Sequence, residues 1–354
     1  MRTALALASV GLPPRSRVSR SYRPRRLSIT CRNRILFREK EVNRGDGGDV
    51  FVTLSCNDPR SVHCRDVLKV SPGDTLRVGI LNDSPATANV QTCPTEDDPH
   101  AELVLNWSPS EQTDDADTAR RNLTANGGTK NARANQSTPG ALDHYHSGST
   151  SLQIDLLLAV PRPKVLRRLW APLASLGLGN IFLTNATKVE TCYFDASSID
   201  SETVKHELVK GLEQSGDVHM PSVTLVKRFP AVLDAIGVTG EAPKKQSVER
   251  LVVADEDDEN KSSPIEQPPI MLVAHPGSQV SLRQALRGAG KDSWGYGPRR
   301  VVIAIGPEPG WTPYELETLK NGGFAEVAVG NRTFSTDVAC VALIAAVRER
   351  TETW

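Results

Sequence analysis

Two short glycine loops could bring the backbone of this chain close to a ligand. Gly306-Pro307-Glu308-Pro309-Gly310 follows the apolar run Val301–Ile305 and precedes Thr312-Pro313-Tyr314-Glu315. Those last four residues spell a capping box with proline at the first helical position, which fixes a helix start. Gly330-Asn331-Arg332 follows the stretch Glu326–Val329 and precedes a helix near Thr336. Glycine lets main chain approach a ligand, and loops at the carboxyl ends of parallel strands are where α/β folds bind. A third feature is basic. Lys164, Arg167 and Arg168, at i, i+3 and i+4, share one helix face; Arg162 extends the group, while Val165, Leu169 and Leu173 lie on another face. Such a face is either an ordinary solvated one or a patch that contacts phosphate.

Other chemistries are disfavoured. The chain has no GxGxxG after a strand, no HExxH and no GxSxG; Gly290-Lys291 has Ala285 where a P-loop needs its first glycine and Asp292 after the lysine. His63-Cys64 and His144/His146 lack completing ligands, so no metal is expected. The six cysteines show no CxxC pair and read as free thiols in a reducing compartment.

The elements that must position these loops follow from pattern. Val50–Leu54 and Thr75–Leu81 read as strands flanking the turn Ser71-Pro72-Gly73-Asp74, in the manner of a small all-β module. Residues 108–150 are rich in Ser, Thr, Asn, Asp and Gly and form a linker or insertion. Beyond them, Leu152–Val160, Asn180–Thr184, Ile270–Ala274, Val301–Ile305 and Glu326–Val329 read as strands. They alternate with helices over Pro163–Leu176, Ser201–Gln214, Thr312–Leu319 and Thr336–Arg348. That alternation predicts a buried parallel sheet. Pro172 predicts a kink or break, and Pro- and acid-rich residues near 235–267 a second insertion. The helix after Thr336 is apolar nearly all round, which fits either a core helix or a subunit interface.

The 354 residues carry 42 Lys+Arg and 42 Asp+Glu, a balance that hides local asymmetry. Residues 1–38 hold ten Arg and no acid; Thr95–Arg120 holds eight acids and one base; Asp255–Glu259 is five acids in a row. No apolar run approaches the roughly 20 residues of a membrane span. The Arg- and Ser-rich, acid-free residues 1–33 have the composition of an organelle transit peptide, plastid rather than mitochondrial in our reading. A signal-peptide core at Ala4–Leu12 and a disordered RNA-binding arm are the alternatives.

Several ordered segments resemble one family. His63-Cys64-Arg65-Asp66-Val67-Leu68-Lys69-Val70 with Pro72-Gly73-Asp74, Ala174-Ser175-Leu176-Gly177-Leu178, and Leu212-Glu213-Gln214-Ser215-Gly216-Asp217 with Met220-Pro221 match its first half. Ala274-His275-Pro276, the Gly306–Gly310 loop with Trp311 and Glu315, and the segment from Val329 to Ala339 match its second half. From about Arg34 to Val347 the chain resembles the ribosomal RNA small subunit methyltransferase E family of the SPOUT superfamily.

The resemblance implies an α/β fold: a C-terminal SPOUT-type trefoil-knot domain with a parallel sheet (residues 151–354), preceded by a small PUA-like β-barrel domain (34–107). It implies S-adenosylmethionine as cofactor, N3-methylation of a uridine in small-subunit rRNA, and a homodimer. The implied cofactor site comprises Ala274, His275 and Pro276, then Gly306, Pro307, Glu308 and Gly310, then Val329, Gly330, Asn331 and Phe334. Arg332 would stabilise charge on the uridine, or instead pair structurally with Glu308 or Asp337; His275 is the one candidate base in these motifs. Arg162, Lys164, Arg167 and Arg168 would bind RNA. Three departures stand out: Pro309 for a glycine, Ser335 for an arginine and Asp337 for a glutamate. A non-catalytic RNA-binding or ribosome-assembly factor on the same fold, and a SPOUT methyltransferase with another RNA target, are the alternatives.

Overall fold

The computed structural model describes residues 33–45, 48–95, 98–108, 152–237, 248–252, 269–288 and 299–351. The expected transit segment, nearly all of the 108–150 linker and most of the second insertion lie outside them.

The first part is a six-stranded sheet ordered β1-β4-β5-β6-β3-β2, with β1 Ile35–Phe37, β2 Asn43–Arg44, β3 Val50–Leu54, β4 Thr75–Ile80, β5 Pro85–Thr92 and β6 Leu103–Trp107. Only the β1–β4 pairing is parallel. Alternation does the sorting: Val50, Val52 and Leu54 point inward while Phe51 and Thr53 are exposed. The core so formed stacks Phe37 on Trp107 at 6.0 Å. The turn before β4 is as expected: the Asp74 carboxylate accepts from the Ser71 amide at 2.8 Å, and Gly73 takes φ +87°. Helix α1, Pro59–His63, is capped by Asp58 and runs on into a wider turn, Cys64–Leu68, which Lys69 ends in the left-handed region.

The second part is a seven-stranded sheet ordered β10-β9-β8-β7-β12-β11-β13. Its strands are β7 Leu152–Ala159, β8 Asn180–Thr184, β9 Ser222–Val226, β10 Val248–Val252, β11 Ile270–Ala274, β12 Arg299–Ile305 and β13 Ala325–Val327. Every pairing is parallel except β9–β10. In β7, Leu156, Leu157 and Leu158 are all fully buried, because helices cover both faces of a central parallel strand. At its amino end, wholly buried Asp155 accepts from Arg300 of β12 at 2.6 Å.

Helices α2 Pro163–Ser175, α3 Ser201–Ser215, α4 Ala231–Ile236, α5 Leu282–Gly288, α6 Pro313–Asn321 and α7 Thr336–Thr351 complete the fold. None is long and apolar enough to cross a membrane among the described residues.

Two expectations are corrected. Helix α2 does not break at Pro172: the proline sits in the last turn, and its carbonyl still accepts from the Leu176 amide. The second insertion is not structureless throughout. Ala235 and Ile236 finish α4, and Val248–Val252 adds β10 with Leu251 and Val252 buried. The acid run beside it obscured this strand. The five described cysteines are free, as expected.

The two parts are pinned by part-buried polar contacts. The Arg34 guanidinium donates to the Gly216 and Ala86 carbonyls at 2.9 and 3.1 Å, and the Asn82 side chain accepts from the Met220 amide at 2.8 Å.

Helices α2 and α3 meet where Gly211 lies against the Ala171 carbonyl, with no room for a Cβ. Helix propensity alone would favour alanine at this position by about 1 kcal/mol. The backbone collision reverses the sign, so Gly211→Ala is expected to destabilise the fold by about 1–3 kcal/mol. An unchanged or raised urea midpoint would show that the helices part at no cost.

Candidate active site

Parallel strands β7, β12, β11 and β13 end on the same edge of the sheet, and β7/β12 is where the strand order reverses. Crevices at such reversals are the usual ligand sites of open α/β sheets. Four stretches emerge there: Val160–Arg162, Gly306–Gly310, His275–Gly277 and Val329–Phe334.

The Gly306–Gly310 loop is stiff and largely self-satisfied. Pro307 and Pro309 have no N–H, and the Gly310 amide donates back to the Pro307 carbonyl at 2.7 Å, at φ +75°. Its outward groups are latched to neighbouring segments. The Glu308 carboxylate accepts from the Arg162 amide at 3.0 Å, the Pro309 carbonyl from Lys188 Nζ at 3.0 Å, and the Gly306 carbonyl from Thr336 Oγ1 at 3.4 Å. The Trp311 ring lies close over Gly306, so that a Cβ there would stand only 3.1 Å from the ring; the buried indole N–H has no partner among the described residues.

The capping box is formed as expected. Thr312 N and Oγ1 donate to Glu315 Oε2 at 2.7 and 2.8 Å, and the Glu315 amide donates to the Thr312 hydroxyl. Glu315 Oε1 also accepts from the Thr187 amide, on the loop after β8, at 2.6 Å. Burial pushes this carboxyl up, but the Thr312 and Thr187 donors outweigh it and hold the group below the usual carboxylate range.

Of the expected cofactor residues, Ala274 ends β11 opposite Val327, and the His275 amide donates to the Val327 carbonyl at 3.0 Å. Pro276 is exposed beside it. The His275 ring borders an open depression of about 610 Å³ shared with Trp311, Leu316 and Lys320. Val329 packs on the core, Gly330 takes φ +76° with open space where a Cβ would stand, Asn331 is exposed and Phe334 is half-buried. Gly310 has the same open side.

Arg332 is exposed and makes no hydrogen bond or ion pair among the described residues. The carboxylates considered for it are otherwise engaged: Glu308 takes the Arg162 amide, and Asp337 takes the Ser335 hydroxyl at 2.5 Å and Arg168 at 3.3 Å. Arg162, Lys164, Arg167 and Arg168 are all exposed, and through Glu308 and Asp337 their helix abuts both loops of the crevice. Among the described residues no group of three or more His, Cys, Asp or Glu is arranged to hold a metal.

Sequence reasoning passed over the loop after β8, Asn185–Thr191. Its signal was present, since it leaves the carboxyl end of a strand that the pattern had identified, but it contains no glycine.

A family profile described as an RNA methyltransferase domain matches residues 149–348. The ribosomal RNA small subunit methyltransferase E of Treponema pallidum (strain Nichols) is 25% identical over 323 residues, 91% of this chain and 92% of that protein. Among solved structures, the ribosomal RNA small subunit methyltransferase E of Neisseria gonorrhoeae, bound to S-adenosyl methionine, matches with a TM-score of 0.53 at 16% identity, spanning 90% of this chain and 97% of that one. A Legionella pneumophila protein in complex with the bound cofactor SAM matches with a TM-score of 0.52 at 16% identity, spanning 90% and 98%. At such identities the two structures speak for the fold.

Glu315 gives a pH prediction. Its folded-state pKa lies below the ordinary glutamate value, so its stabilisation is fully present above that value and is lost as pH falls through the folded pKa. Glu315→Gln is expected to lower stability at pH 7 by about 1–3 kcal/mol and to narrow its gap to wild type in acid. A gap that stays constant from pH 7 to pH 3 would mean the charge contributes nothing.

Proposed function

The chain belongs to the RNA methyltransferase family, and from that premise we propose that it uses S-adenosylmethionine to form N3-methyluridine in small-subunit rRNA. The carrying observation is the crevice at the β12-β11-β13 edge. The loops that carry the open-sided glycines Gly310 and Gly330 leave strands of that edge, with unpartnered Arg332 two residues after Gly330 and the exposed basic face of α2 tied in through Glu308 and Asp337. The named relatives, one of them solved with the cofactor, support the reading.

The residues present fit such a cofactor. Gly310 and Gly330 leave room for an adenosine moiety against main chain, bounded by Ala274–Pro276, Gly306–Gly310 and Val329–Phe334. When bound, the sulfonium supplies an already activated methyl group. What the protein adds is position and charge. Two prolines and three latches pre-organise the Gly306–Gly310 loop, so it discriminates by shape and carbonyl groups rather than by a cradle of amides. Arg332 is free to stabilise the negative charge that develops as uracil N3 loses its proton. Arg162, Lys164, Arg167 and Arg168 hold the RNA backbone at the crevice mouth.

The finer architecture belongs to the same proposal. The 34–107 sheet is PUA-like, and 151–354 carries the trefoil knot. Helix α7 supports the latter: it returns from β13 to pack on β12 and α2, with Thr336 bonded to the Gly306 carbonyl and Arg348 to the Leu176 carbonyl. Residues 1–33 direct the protein to a plastid.

Isothermal titration with S-adenosylmethionine is expected to show one site per chain, and Arg332→Ala to keep that binding while cutting turnover about 10²-fold or more. Cells lacking the protein are expected to lose one N3-methyluridine from plastid small-subunit rRNA. Absence of cofactor binding would favour the non-catalytic assembly factor; wild-type turnover in Arg332→Ala would remove its catalytic role.

The same reading includes a homodimer. Val338 and Val341 are 48% and 39% exposed on consecutive turns of α7, and Ala345 continues the stripe, which leaves an apolar face for a second copy. Light scattering is expected to give twice the chain mass, and a monomer at micromolar concentration would overturn the assignment.

A further inference from the structure

A second cavity, of about 340 Å³, opens at the carboxyl ends of β8 and β9. It falls outside every residue set considered for the cofactor. Its volume is within the ~300–1,000 Å³ range of small-molecule sites. Its apolar lining comes from Pro230 and from Phe229, which is mostly buried against Trp311; Tyr314, 65% exposed, lines it as well. A polar edge comes from Asn185. Its side-chain oxygen accepts from the Ala186 amide at 2.9 Å, and its NH2 has no partner among the described residues. Glu315 borders the cavity, but both its oxygens are committed, one to Thr187 and one to Thr312, so its charge is not open to an anionic ligand. Two exposed cations are chain neighbours of lining residues, Lys188 between Thr187 and Val189 and Arg228 just before Phe229, against one exposed acid, Glu190.

We propose that this cavity receives one unstacked nucleobase of the RNA substrate. An exposed aromatic ring and apolar side chains lining one cavity suit the face of a base. A free amide donor suits a base carbonyl, and the neighbouring cations suit the phosphates on either side. The site is coupled to the crevice already described, because Lys188 holds the Pro309 carbonyl and Thr187 holds Glu315. A base seated here is therefore registered against the loop that borders the cofactor, and the cavity acts as a specificity site for RNA. The inference rests on the RNA methyltransferase reading only for the identity of the polymer.

Photocrosslinking tests it directly. Full-length protein is irradiated with single-stranded oligonucleotides of small-subunit rRNA carrying thiouridine, and crosslinked residues are mapped by mass spectrometry. Adducts are expected on Tyr314, Pro230 or Phe229, and Tyr314→Ala is expected to weaken RNA binding about ten-fold, with Tyr314→Phe restoring it. Because the Tyr314 side chain is largely exposed, the substitution leaves folding and S-adenosylmethionine affinity unchanged. Adducts confined to other residues, no adduct at all, or wild-type RNA affinity in Tyr314→Ala would overturn the base site. Loss of the adducts on adding S-adenosylmethionine would assign the cavity to the cofactor and overturn it as well. Cofactor titration of the wild type reports separately: its failure would strike the methyltransferase reading, while the crosslinks decide the base site.

Discussion

The Glu315 carboxylate accepts hydrogen bonds from two separate stretches of chain, and much of the local architecture hangs on that arrangement. One oxygen closes the cap of α6 on Thr312; the other holds Thr187 on the loop after β8. Without the first contact, α6 would not start where the Gly306–Gly310 loop needs it to start. Without the second, the β8 loop would not lie beside that loop. A neutral side chain of the same shape keeps one acceptor, sets an NH2 against a donor at the other position, and loses the charge that makes such bonds strong. The carboxylate thus ties together two loops built on different strands.

Rigidity recurs across the site. Two prolines, a closed turn and three latches leave the Gly306–Gly310 loop little freedom to reorganise. Ordering cost is met during folding instead of at binding, which favours affinity from a modest number of contacts. The freedom that remains belongs to side chains at the rim: Arg332, the basic face of α2 and Tyr314 are all exposed. Long, solvated side chains around a fixed frame are suited to a flexible, charged polymer.

Much of this was legible in the sequence where the signal is local. The apolar run Leu156–Ala159 of β7 announced a strand covered on both faces, and Thr312-Pro313-Tyr314-Glu315 announced its helix to the residue. Signals failed where tertiary context decides. Pro172 reads as a breaker by local rules, but in a last turn it forfeits only one intrahelical bond. The partners of Arg332 were sought among carboxylates nearby in sequence, whereas Arg168, far away in the chain, takes Asp337. The β8–β9 cavity unites Asn185, Phe229 and Tyr314, and no spacing rule connects residues so far apart. The zero net charge was the least informative number, since exposed bases cluster on α2 while the acids gather elsewhere.

The antiparallel strand β10 has a bearing on how the protein keeps company with copies of itself. Without it the sheet would end at β9, a strand with Val223, Leu225 and Val226 buried and a row of unpaired main-chain groups along its outer side. An open edge of that kind is a template for pairing with another chain. Strand β10 occupies it in reversed direction and turns Glu249 and Arg250 outward, with Glu249 bonded to Lys227 at 3.2 Å. At the opposite end the sheet stops with the three residues of β13, too short to recruit a neighbour. A strand within a stretch that looks like an interruption in the sequence therefore ends this side of the sheet in a short, charged edge, which disfavours fibre-like growth.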